Sequence, residues 1–89
     1  MKVGLYAVRD AVGGTLGMVQ AFQNDGVAIR SLEYMAKHGA QQLAIVAEKP
    51  GDFTLYCLGT LDDVSGELVS DYRNVCSFVE ILKEENQNV

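Results

Sequence analysis

The chain has 89 residues, a net charge of −5, an estimated pI of 4.6 and 48% hydrophobic residues. That is room for one domain with a modest core, and the apolar content excludes a disordered chain. The acidic balance excludes a broad electrostatic grip on nucleic acid, which needs a basic surface, and leaves only a local basic patch open.

Lys2 to Arg9 alternates imperfectly, with Val3, Leu5 and Ala7 on one face and Gly4, Tyr6 and Val8 on the other. Both faces are mostly apolar, which predicts a central strand. The stretch lacks the long apolar run and cleavage pattern of a secretory signal. No segment approaches the roughly 20 apolar residues of a membrane span, so a cytoplasmic protein is expected.

Asp10 to Gly17 contains Gly13, Gly14 and Gly17. It lacks both the Gly-Lys-Ser/Thr ending of a phosphate loop and the dinucleotide fingerprint, so it reads as a flexible surface loop. Met18 to Phe22 reads as a short extended segment.

Asn24-Asp25-Gly26 opens a helix, with Asn24 or Asp25 as the cap. Ala28, Leu32, Met35 and Ala36 recur at helical spacing and should face a sheet, widened by Ile29. Arg30, Glu33 and Lys37 fall on the solvated side. Glu33 and Lys37 form an i, i+4 pair worth about 0.2–0.5 kcal/mol. His38 sits at the negative end of the helix dipole and reads as a dipole partner rather than a catalytic base. Gly39 is the expected stop.

Ala40 to Lys49 fits a short strand or turn, with a short helical turn as the alternative. Pro50-Gly51 then breaks the chain. Phe53 to Leu61 has the composition of a buried strand. Phe53, Leu55, Cys57 and Gly59 fall on one face and Thr54, Tyr56, Leu58 and Thr60 on the other. Asp62 to Gly66 is a cluster of turn formers. Its acids are adjacent and its length too short for a calcium loop, so it reads as a type I turn closed by a left-handed Gly66. Leu68 to Tyr72 is the partner strand, and Arg73-Asn74 interrupts the pattern. Residues 75–82 fit a closing strand or a short helix, and 83–89 a polar tail. Cys57 and Cys76 are too few for a disulfide framework or a metal site, and Cys57 reads as a reduced core thiol.

These elements predict an α+β fold: one helix packed on a small, mainly antiparallel sheet, in a single domain over residues 1–82 with a tail at 83–89. A domain this small also makes a homodimer plausible. No cofactor is implied. With a single histidine, scattered acids and no nucleophile motif, no catalytic constellation can be assembled, and the expectation is a protein that is not an enzyme.

Three stretches resemble a known family. They are Tyr6-Ala7-Val8-Arg9-Asp10, Asn24-Asp25-Gly26-Val27-Ala28-Ile29-Arg30, and Pro50 to Gly59 followed by Asp62-Asp63 and Gly66. Their order and spacing resemble the small nonstructural protein of gokushovirus-type microviruses, phages with circular single-stranded DNA genomes. Where that family usually carries prolines, this chain has Gly17-Met18-Val19-Gln20. The resemblance implies an accessory protein of the host bacterial cytoplasm that stays out of the virion. Such proteins are labelled nonstructural or DNA-binding and are assigned to single-stranded genome replication or packaging. The partners implied are phage replication or packaging proteins, with direct single-stranded DNA binding as the alternative, and no membrane.

Arg9, Arg30 and Lys49 are the candidate contacts to an anionic partner, with Tyr6 and Tyr56 as the first candidate stacking platforms and Tyr34, Tyr72, Phe22, Phe53 and Phe78 as further ones. Arg9 ends a strand. Arg30 is expected in the first helical turn, where a positive charge opposes the dipole, so it points either to a partner anion or to an internal carboxylate such as Asp10 or Asp25.

Overall fold

The computed structural model describes residues 1–83. Four strands form one antiparallel sheet: β1 (Lys2–Asp10), β2 (Thr15–Phe22), β3 (Phe53–Asp62) and β4 (Leu68–Ser77), in the order β2-β1-β3-β4. Helix α1 (Asp25–Lys37) and the short helices α2 (Ala44–Glu48) and α3 (Phe78–Ile81) complete the α+β fold. The two apolar strands, β1 and β3, take the centre, and the two hairpins lie side by side.

Both hairpin turns are built the same way. Asp10 Oδ1 accepts from the amides of Val12 (3.0 Å) and Gly13 (3.1 Å), and Gly14 closes the turn at φ 71°. Asp62 Oδ1 accepts from the amides of Val64 (2.9 Å) and Ser65 (3.3 Å), and Gly66 closes that turn at φ 81°. An aspartate satisfies the turn amides and a glycine four residues later supplies the left-handed backbone. The expected flexible loop over Asp10 to Gly17 is therefore a tight turn of four residues between β1 and β2. The expected short segment at Met18 is a full strand starting at Thr15. Its extra residue opposite Ala7 is absorbed by a bulge, with Met18 at φ 53°.

Asn24 caps α1 by accepting from the Val27 amide at 2.9 Å. At the other end, the Ala40 amide bonds the Met35 carbonyl and the Gly39 amide the Ala36 carbonyl, with Gly39 at φ 78°. That is a Schellman ending, open to glycine because it lacks a β-carbon. Ala28, Leu32 and Ala36 are buried, and Ile29 and Met35 pack beside them.

All the helices cover one face of the sheet. The core joins Tyr6, Val8, Phe53, Leu55 and Cys57 of the sheet to Ala28 and Leu32 of α1, Val46 of α2, and Phe78 and Ile81 of α3. Cys57 is a buried free thiol, and Cys76 is free and half-buried. Ser77 caps α3, accepting from the Glu80 amide at 3.3 Å, and so turns Phe78 into the core, where it is fully buried. Burying a phenylalanine contributes about 1.5–3 kcal/mol.

Two sequence expectations change and two open alternatives are decided. Of the alternatives for 40–49 the helical one forms: Gln41–Leu43 is a 3-10 turn leading into α2. Leu43 and Val46, three residues apart, are buried while Ile45 between them is half exposed, a helical rather than an alternating pattern. Arg73-Asn74 does not end β4, which runs on to Ser77 through a bulge at Val75. Of the strand and helix left open for 75–82, the helix forms as α3 after Ser77, so β2 is the fourth strand. A bulge at Leu58 also shifts Gly59 out of the Phe53-Leu55-Cys57 row, pairing it with Leu5. The expected polar tail lies almost wholly outside the described residues. Among the described residues no helix is long and apolar enough to cross a membrane.

Candidate functional site

The densest polar cluster lies where the start of α1 meets the sheet. Asp25 occupies the first position of the helix, directly after its cap. Arg73 reaches it from edge strand β4 with two hydrogen bonds, Nη1 to Oδ2 at 2.8 Å and Nη2 to Oδ1 at 3.0 Å. The Tyr6 hydroxyl donates to the same Oδ1 at 2.7 Å from β1. The Tyr6 ring lies over Gly4, which leaves it room: a β-carbon on Gly4 would come within 2.6 Å of it.

The electrostatics follow from these contacts. The Arg73 guanidinium, then the Tyr6 hydroxyl, hold the Asp25 carboxyl below the usual carboxylate range. Burial, reinforced by Asp25, pushes the Tyr6 hydroxyl well above the usual tyrosine value. Asp25 pushes Arg73 up in turn. Asp25 therefore stays ionised and Tyr6 protonated across the neutral range. The trio pins α1 to two strands and is not arranged to pass a proton. Beside it lies an open cleft of about 550 Å³ lined by Lys2, Gly4, Asn24, Thr60 and Asp71 among others.

A second surface runs along the outer side of α1. Val27, Arg30, Ser31, Tyr34 and Met35 line a shallow hollow of about 540 Å³. Tyr34 is 63% exposed. Its ring stacks on His38 with centroids 4.0 Å apart, and His38 Nδ1 donates to the Tyr34 carbonyl at 2.9 Å. Arg30, Tyr34 and His38 are four residues apart and so form one stripe.

A third surface is the sheet face away from the helices. Tyr56 of β3 and Tyr72 of β4 stack there with ring centroids 4.9 Å apart. Arg9 pairs with Thr54, two residues along β3 from Tyr56, and alternates with the buried Val8, which places it on this face.

The sequence candidates are thus divided. Arg9 and Tyr56 share the open sheet face. Arg30 lies across the molecule on α1. Lys49 is exposed where α2 ends, and Tyr6 is buried beneath the helices. Arg30 stands in the second turn of α1, past the strongest part of the dipole. Neither carboxylate considered for it is its partner: Asp25 is held by Arg73 and Tyr6, and Asp10 by turn amides. Arg9, Arg30 and Lys49 make no ion pair among the described residues, whereas Lys37, Arg73 and Lys83 pair with Glu33, Asp25 and Glu80. The residue missed in the sequence as a member of a site is Arg73, whose partner Asp25 lies 48 residues away. Among the described residues no group of three or more metal-ligating side chains is assembled.

The architecture is that of a small α+β protein, an antiparallel sheet with helices on one face only. The model of the Phage ORF5 protein family matches residues 3–81, and the chain belongs to that bacteriophage family. No curated protein and no solved structure matches it.

Proposed function

We propose that the chain is the nonstructural accessory protein of a gokushovirus-type microvirus. In this reading it works in the host bacterial cytoplasm, outside the virion, in making or packaging single-stranded genomes. It has no catalytic step and acts by docking on phage replication or packaging proteins. The docking surface is the α1 stripe of Arg30, Tyr34 and His38.

The observation that carries this reading is the pairing of an unengaged Arg30 with a 63%-exposed Tyr34 on a chain whose cations are otherwise dispersed. Arginine and tyrosine are the residue types that dominate protein interfaces. A nucleic-acid groove would instead gather its cations along one track. The test is co-purification with the replication initiator and capsid proteins of the same phage. Arg30→Glu and Tyr34→Ala should abolish the complex while leaving the fold intact. A complex that survives both variants sinks the assigned surface.

A second reading, direct single-stranded DNA binding, is favoured by the Tyr56–Tyr72 pair beside Arg9. It requires binding to a labelled oligonucleotide that weakens steeply with salt and fails in Arg9→Ala. No binding at low salt removes it.

A further inference from the structure

We infer that the open face of the sheet is the interface of a homodimer, covered by the same face of a second copy. Sheets normally bury at least one face and solvate the other with polar side chains. Here both faces are apolar. The strand positions pointing away from the helices include Leu5, Leu16, Val19, Tyr56, Leu58 and Tyr72. Val19 is 57% and Tyr72 54% exposed in the single chain. Ala7, between the strands that carry Val19 and Tyr56, is itself buried, so larger neighbouring side chains close over the centre of the face. A contiguous apolar patch of this kind marks an interaction surface.

Charge selects the occupant. These outward positions carry one charge, Arg9, on a chain whose net charge is −5. The other charged strand positions, such as Asp10, Asp71 and Arg73, lie on the helix side or at its rim. A nucleic acid would meet one cation and the repulsion of the whole chain. A basic protein would find no carboxylate on the face. An apolar sheet face with a single charge is matched by another of the same kind, and the nearest such surface is its own copy. A two-fold axis through the face makes the contact self-complementary and closes it at two subunits.

The area is sufficient. Four strands about 4.8 Å apart and roughly 30 Å long, facing a second sheet about 10 Å away, remove on the order of 1,000 Å² from water, the threshold of a specific interface. The dimer would present two α1 stripes on opposite outer sides, giving the docking surface two copies. The inference does not depend on that surface being used.

Sedimentation of the full chain from micromolar to millimolar concentration tests it. A monomer–dimer equilibrium is expected, weakened about tenfold or more by Val19→Lys and by Tyr72→Lys and unmoved by Tyr34→Lys on α1. The first two sites are exposed in the monomer, and circular dichroism of each variant checks that it folds. A measurement on the unaltered chain stands beside this. On dilution, the methyl NMR signals of Leu5 and Leu58 should shift while those of Leu43 and Val46 stay fixed. A chain monomeric throughout overturns the inference. So does a dimer that neither face variant weakens, or a dimer in which the Leu5 and Leu58 signals do not move.

Discussion

Asp25 and Arg73 are 48 residues apart in sequence and joined by two hydrogen bonds, fixing the start of α1 to the far edge of the sheet. The fork geometry is what a guanidinium offers and an ammonium does not. Arg73→Ala and Arg73→Lys should both lower the melting temperature, with lysine recovering only part of the loss. Tyr6→Phe removes the third hydrogen bond from the same carboxylate while keeping the buried ring. It should cost about 0.5–1.5 kcal/mol in urea unfolding. Because both side chains share Asp25, the losses should not add, and Arg73→Ala combined with Tyr6→Phe should reveal the coupling.

The same trio sets the pH range of stability. The Asp25 carboxyl is held below its ordinary value in the fold, so its contribution is complete above about pH 4 and is lost as pH falls through the depressed value. The Tyr6 hydroxyl is raised in the fold, so its contribution is complete below about pH 10 and is lost as pH climbs towards the raised value. Unfolding free energy measured against pH should fall at both ends. Asp25→Asn should flatten the acid arm, leaving the part due to Asp62, which its turn amides also hold low. Tyr6→Phe should remove the alkaline decline due to that hydroxyl. An acid arm identical in Asp25→Asn and the parent chain would refute the assignment.

The elements that follow from local chemistry were legible in the sequence. Asn24 and Gly39 bracket α1 because caps and stops act within a turn of the helix. Pro50, Asp62 and Gly66 frame β3 and its turn for the same reason. The β1–β2 turn carries the same Asp-to-Gly spacing as the β3–β4 turn, Asp10 to Gly14 against Asp62 to Gly66. Extra glycines at 13 and 17 masked it. Bulges were not legible, because the one-residue insertions at Val75, Leu58 and Met18–Val19 appear only as faults in alternation. The division of the candidate residues between two faces depends on strand order and register. No local pattern could place Arg73 beside Asp25, or show that Arg9 and Arg30 lie on opposite sides of the sheet.

Gly59 is the position where the bulge has its clearest consequence. Its φ is 151°, and a β-carbon there would stand 2.1 Å from the Val69 carbonyl oxygen. That neighbour is backbone in a paired strand and cannot swing away. Gly59→Ala should therefore cost more than about 3 kcal/mol or leave the chain insoluble. Gly17→Ala, with nothing within 4 Å of the added carbon, should stay within about 0.5 kcal/mol of the parent. Equal melting temperatures for the two variants would mean that β3 and β4 are not paired in this register.

Asn24 decides where α1 begins, and through α1 where Asp25 meets Arg73. Its side chain accepts from the Val27 amide, and its extended backbone, φ −161°, keeps it just outside the helix. Asn24→Ala should cost about 1 kcal/mol, with Asn24→Asp or Asn24→Ser retaining most of the stability, since either can accept the same bond. The loss should appear in hydrogen exchange as faster opening of the first-turn amides of α1. If those amides exchange at the parent rate while overall stability falls, the cap acts elsewhere, through the Gln23–Asn24 connection to β2.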